Sequence, residues 1–291
     1  MRLALWLLVL GSCLQVRAQH RYDDELQLTE TRFALESQIH GLKWGFLHNM
    51  DTAALGFNNQ GFTNLYHAWK DRPDGSSIVL QWKPTALWWS EDGLFGLITG
   101  PYFTKGSKDT GAMANGYFFT IWQRSNTSEP FHFMVDAGVP MTPGMAVAAF
   151  VSTPVTKGTI AAINTRKTGS TSVHMGSSAL GEAFFRKAAS GSLYGAINSY
   201  AGEKSFLLVS DFGKLALNEL SRVAALNRKI TLQPKDHRTL SSGCYYEWGQ
   251  LHSNDDASNA LSGYYVHVWQ VQKQGPLLLA AVYKFDQRVK P

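Results

Sequence analysis

Asp136 closes an apolar run, and Met134 and His132 occupy the alternating positions before it. In an extended strand, residues two apart share a face. The spacing therefore puts an imidazole, a thioether and a carboxylate on one surface. At about 3.3 Å per residue, His132 and Asp136 are about 13 Å apart, too far for a direct dyad. Joint action needs a substrate between them, with Asp136 as base and His132 as donor. Tyr102, in an earlier strand-like run, is a second donor. The catalytic candidates are thus Asp136, His132 and Tyr102, and Trp122, Tyr102, Met134 and Phe118 are candidate walls for a bound molecule. The plain alternative is that Asp136 caps its strand by pairing with Arg124 or a backbone N–H, and that the aromatics are core.

Other chemistry finds little support. His40 and His48 lie eight residues apart on a predicted helix. That is about 80° of rotation, unlike the i, i+4 pair of a helical metal site. No His spacing suits a metal, and no cofactor is expected. Neither a Gly-rich phosphate loop nor a Gly-x-Ser-x-Gly elbow is present. Ser170–Ser172 and Ser177-Ser178 read as linker and helix cap. Trp82, Trp88 and Trp89 cluster near a hairpin, as a sugar platform or, more plainly, a packed sheet face.

The chain has 291 residues, 44% apolar and 17% charged, which excludes a disordered chain. Two Cys, at 13 and 244, exclude a disulfide scaffold and a Cys-based zinc site. Arg2, the apolar run Leu3–Leu10 and Ala18 read as a signal peptide over 1–18, cleaved before Gln19. This predicts an exported protein, periplasmic or secreted. Leu10-Gly11-Ser12-Cys13 offers a lipid anchor through Cys13 instead. Loss of Arg2 and Arg17 lowers the net charge of +5 by two. With no Lys/Arg cluster, no nucleic-acid partner is expected, and no segment reads as a transmembrane span. Asn126-Thr127-Ser128 is a glycosylation sequon.

Residues 24–50 read as a helix with an apolar stripe of Leu35, Ile39, Leu42, Phe46 and Met50. A short helix over Asp51–Phe57 and a helical turn over Asn64–Lys70 follow. Strands are predicted over Ile78–Trp82, Ala86–Ser90, Leu94–Thr99, Gly116–Arg124 and Phe131–Asp136, with a turn at Ser90–Gly93 and a loop over Gly106–Gly111. Residues 141–177 read as a linker with one strand over Ala146–Val151. A second block then repeats the order. A stripe of Phe185, Ala189, Leu193 and Ile197 is followed by Ser205–Val209, a helical Lys214–Leu226, and strands over Lys229–Leu232, Cys244–Leu251, Gly263–Val271 and Leu277–Lys284. Gly116-Tyr117…Trp122-Gln123 matches Gly263-Tyr264…Trp269-Gln270 at an offset of 147, and Pro130 matches Pro276 at 146. Two matches in sequence argue for duplication. This alignment places His132 on Leu278 and Asp136 on Val282, so a site belongs to the first block.

Leu97-Ile98-Thr99-Gly100-Pro101-Tyr102, Tyr117–Arg124 and Val135-Asp136-Ala137-Gly138 resemble the SnoaL-like, nuclear transport factor 2-like superfamily over residues 25–140. The resemblance implies an α+β fold of two tandem cone-shaped domains, 22–140 and a degenerate 178–288. Each would be a curved antiparallel sheet around N-terminal helices. The superfamily includes isomerases, cyclases, dehydratases and epoxide hydrolases besides binding proteins. Its isomerases carry a carboxylate base after the second helix, where this chain has Phe57-Asn58-Asn59-Gln60. Of the epoxide hydrolases' Asp-Arg-Asp set, Arg124 and Asp136 match two members. The expectation is a small-molecule binding protein for a hydrophobic or amphipathic ligand. A lyase or isomerase and a structural or protein-interaction module are the alternatives. Bulky residues line both faces of the matching strands, so the two domains are expected to hide one face each as an intramolecular pseudo-dimer, making the chain a monomer.

Overall fold

The computed structural model describes residues 22–58, 61–75, 78–106, 114–141, 153–161, 177–253, 255 and 260–286. The leader, Cys13, the loop after Gly106, the Ala146–Val151 strand and Thr165–Ser172 lie outside the described residues.

In the first block, α1 (residues 22–40) and α2 (Leu42–Asn49) lead into β1 (Met50–Asn58), β2 (Gly61–Asn64) and α3 (Leu65–Lys70). Then come β3 (Ile78–Trp82), β4 (Ala86–Ser90), β5 (Phe95–Gly106), β6 (Ala114–Gln123), β7 (His132–Pro140) and β8 (Thr156–Ile160). The second block holds α4 (Ser177–Ser190), α5 (Leu193–Tyr200), β9 (Ala201–Val209) and β10 (Gly213–Leu215). It continues through two short 3-10 helices to β11 (Ile230–Thr239), β12 (Cys244–Ser253), β13 (Ser262–Gln272) and β14 (Gly275–Phe285). The architecture is α+β, with two sheets ordered β2-β1-β7-β6-β5-β4-β8 and β10-β9-β14-β13-β12-β11, and β3 also pairing with β5.

The sheets are mixed rather than wholly antiparallel, since β1 runs parallel to β7, β9 to β14 and β8 to β4. Asp51–Phe57, expected as helix, lies in β1, where pairing with β2 and β7 overrides local preference. Lys214–Leu226 forms strand β10's end and 3-10 helices, not one helix. Thr156–Ile160 lies in the segment read as a linker and extends the first sheet.

The helix stripes differ from expectation for one reason. Gly41, at φ 93, ends α1 and resets the helical phase, so a stripe cannot run through it. Leu35 and Ile39 are 54% and 64% exposed, and the buried face of α1 is Leu26, Glu30, Phe33 and Ser37. The second block repeats this: Phe184 and Ala188 are fully buried rather than Phe185 and Ala189, and α5 restarts from its cap Ser192.

Register shows the duplication residue by residue. Thr120 pairs with Asp136, and His267 pairs with Ala281. Both hairpins slip at the same place, between Ile121 and Trp122 and between Val268 and Trp269. Asp136 therefore corresponds to Ala281 and His132 to Leu277, one residue earlier than the sequence alignment gave. The connecting turn is shorter by two residues in the second block, and the alignment closed only one of them. The recurring Gly116 and Gly263 also gain a reason. A Cβ at either would lie 2.1 Å from a neighbouring-strand carbonyl, Val139 O or Lys284 O. Gly263→Ala is expected to cost about 1–3 kcal/mol, by analogy with overpacking, as a lower urea midpoint with unchanged slope.

The face of each sheet away from its helices enters one shared buried cluster. Tyr117, Phe119 and Ile121 of β6 meet Val266 and Val268 of β13 there. Trp88 stacks on Phe206 at 4.7 Å. Asp92, in the Ser90–Gly93 turn, accepts hydrogen bonds from Ser241 and Ser242 across the join, at 3.0 and 2.9 Å. Cys244 is a free thiol buried in this cluster.

Candidate functional site

The opposite face of the first sheet covers α1 and α2, and a chamber of about 410 Å³ remains between them and α3. That is within the size range of small-molecule sites. Aromatic and aliphatic side chains dominate its wall, among them Phe33, Phe46, Trp69 and Phe118. Glu30, Tyr102, Thr120 and Asp136 supply polar groups inside, and Arg72 joins the lining from the loop after α3.

Glu30 is fully buried on the inner face of α1. Its two oxygens each accept one indole N–H, from Trp82 to Oε1 and from Trp122 to Oε2, both at 2.7 Å. Burial pushes its carboxyl up to about 7 despite these bonds, with the nearby Asp136 adding to the rise. Asp136 sits deep in the fold but keeps part of its surface open, and it lines the chamber. Burial likewise raises it to about 7, against the hydrogen bond donated by Thr120, its cross-strand partner. Tyr102 is raised to about 12 by burial and by Asp136. The phenol thus stays protonated and can donate, while two carboxyls share the proton range near neutrality. Such a set can bind a polar group on an otherwise apolar molecule or exchange a proton with it.

The structure brings Asp136, Tyr102 and Phe118 into this chamber. Trp122 is fully buried beside it and acts on it through Glu30. His132 and Met134 line a separate cleft with Asp51 and Gln123. The slip between Phe133 and Val135 breaks the two-residue alternation, so Phe133 and Asp136 share the inner side and His132 and Met134 do not. Arg124 does not pair with Asp136. Its guanidinium holds Glu25 at 2.8 and 3.2 Å, donates to Gly93 O at 2.7 Å, and lies 4.1 Å over Phe131. Glu30 was missed because the helix stripe was read in the wrong phase. An acid at i+4 from Leu26 and three before Phe33 was the available signal. Of the three clustered tryptophans, Trp82 bonds Glu30, Trp88 stacks in the join between the sheets, and Trp89 is buried in the first core.

The second block fills the equivalent space. Gly138 faces Phe118 across the strands, and Tyr283 faces Tyr265 at the matching pair. Thr120 becomes His267. The Tyr283 hydroxyl meets His267 Nε2 at 2.9 Å, and His267 Nδ1 meets Glu247 Oε1 at 3.2 Å. Burial, opposed by Glu247, lowers the His267 pKa and favours the neutral ring, so Nδ1–H donates to Glu247 and Nε2 accepts from Tyr283. Trp269 Nε1 donates to the same Glu247 oxygen at 2.9 Å. Each block therefore pairs its matching indole, Trp122 or Trp269, with a buried carboxyl group. The first block supplies it from a helix, and the second from β12. In the second block these groups satisfy one another and are buried.

No group of three or more metal-ligating side chains occurs among the described residues. No helix among them is long and apolar enough to cross a membrane.

No family model and no curated protein sequence matches the chain. Solved structures do. A nuclear transport factor 2-like protein of unknown function from Shewanella oneidensis MR-1 is 11% identical, covering 36% of this chain and 93% of its own, at a TM-score of 0.31. A ketosteroid isomerase-like protein from Erwinia carotovora atroseptica SCRI1043 is 9% identical, over 38% and 93%, at 0.31. The hexachlorocyclohexane dehydrochlorinase LinA-type3 from Novosphingobium barchaimii LL02 is 12% identical, over 39% and 88%, at 0.30. These likenesses concern the fold, and the chemistry of the site rests on its own residues.

Proposed function

We propose that the first block binds one small, mainly apolar molecule in the chamber, with Asp136 and Tyr102 as polar groups of its wall. The observation that carries this is the contrast between blocks: Gly138 and Thr120 leave open the space that Tyr283 and His267 fill. Trp69 and Trp82 line the chamber, so binding should alter tryptophan emission. Titration with a neutral naphthalene such as 2-naphthylacetamide is expected to saturate at one site per chain. A non-saturating response would overturn the reading.

A second reading is general acid/base catalysis, favoured by a buried carboxyl titrating at about 7 beside a protonated phenol. In either case the second block is structural support. The shared cluster supports reading the two blocks as an intramolecular pseudo-dimer and the chain as a monomer. Residues 22–161 expressed alone should self-associate, because Trp88, Phe119 and Val135 would lose their cover. A soluble monomeric fragment would refute this. The leader reading makes the protein an exported one, which amino-terminal sequencing of the mature chain tests.

A further inference from the structure

Arg72 stands where the chamber meets an adjoining groove of about 750 Å³, and it lines both. Its backbone is held at both ends. The Arg72 N–H donates to Trp69 O at 3.2 Å, and Lys43 Nζ donates to Arg72 O at 2.6 Å. Its guanidinium carbon lies 4.1 Å from the centre of the Trp69 ring. Trp69 is itself buried and stacks on Phe46 at 4.2 Å. A planar cation is thus laid on a fixed aromatic platform. Stacking occupies its face and leaves its N–H edges for an acceptor.

No carboxylate in this protein takes that role among the described residues. Lys43, beside it, is paired with Asp74 at 3.2 Å. Arg124, the buried arginine of the same block, has Glu25. Charge in the chamber is therefore graded, with the carboxyls Glu30 and Asp136 within and, at the mouth, a guanidinium that no carboxylate among the described residues pairs. A bound anion would be repelled from the first two and drawn to the third.

We propose that the chamber's ligand is an organic carboxylate, held with its apolar body inside and its carboxylate on the Arg72 edge. A carboxylate matches the guanidinium fork through two parallel hydrogen bonds. This inference rests on the chamber being a binding site and adds the class and orientation of what it takes. Arg72 is exposed, so solvent and salt weaken the pair, and the expected preference for an acid over its neutral amide is about tenfold.

The test compares 2-naphthylacetate with 2-naphthylacetamide on the full chain, since both carry one apolar body. The intact protein should bind the acid about tenfold more tightly. Arg72→Gln should abolish that preference by weakening the acid about tenfold more than the amide, and Arg72→Lys should restore it only in part. Equal binding of acid and amide by the intact protein, or an equal loss of both in Arg72→Gln, would overturn the carboxylate assignment and leave the chamber reading standing. Failure of both compounds to bind the intact protein would overturn the two together.

Discussion

Glu30→Ala is expected to lose about 2–6 kcal/mol of folding stability, because two buried indole donors lose their acceptor at about 1–3 kcal/mol each. Trp82 and Trp122 both point their N–H groups at this one carboxyl, and Trp122 is fully buried. The loss is comparable with the whole stability of many domains. Glu30→Gln should lose less, since one amide oxygen still accepts while the NH₂ faces the other indole. The deficit depends on pH. The Glu30 carboxyl is raised from 4.5 to about 7 in the folded chain. A raised carboxyl contributes stability that is fully present below pH 4.5 and lost as pH rises through 7. Wild-type stability should therefore fall between about pH 5 and 8, by on the order of 3 kcal/mol from this group. Glu30→Ala lacks that fall, so the gap between the two proteins narrows as pH rises. Urea midpoints at pH 5 and 8 measure it. A gap that widens would show that Glu30 is held ionised.

Asp136→Asn keeps the shape and removes the proton exchange. If the chamber is catalytic, turnover on a true substrate should fall by roughly 10²–10⁴-fold, the usual worth of general acid–base catalysis. The folded protein should survive, because Thr120 can still donate to the amide oxygen. Removing a carboxyl raised to about 7 also flattens the fall of stability with rising pH. Unchanged turnover would leave Asp136 a binding group only.

Asp136, Tyr102 and Phe118 were legible because strand-forming runs place such residues on one face or the other, and a buried acid among aromatics is conspicuous. His132 and Met134 were not, because a single slip in the β6–β7 pairing reverses the alternation, and nothing in the local sequence announces it. Glu30 was hidden by helical phase. Leu35, Ile39, Leu42 and Phe46 form a continuous stripe only if Gly41 is helical, and its positive φ shows that it is not. The duplication was readable from the Gly-Tyr…Trp-Gln strands, since Gly116 and Gly263 both meet a carbonyl that a Cβ would crowd. Its consequence for the site was not. That Tyr283 fills the place left open by Gly138 depends on the register of two hairpins whose turns differ in length.

That exchange supplies the most direct test of the chamber. Gly138→Tyr copies the second block's filling, and a Cβ there would stand 3.3 Å from the Tyr102 ring, close enough to require only a small shift. Ala68→Trp plugs the same space from α3 should the first variant fail to fold. In a tryptophan-quenching titration with 2-naphthylacetamide, the intact protein should saturate at one site per chain. Either plugged variant, with its urea midpoint retained, should show no saturable binding. Undiminished one-site binding in a folded plugged variant would place the ligand elsewhere and contradict the account.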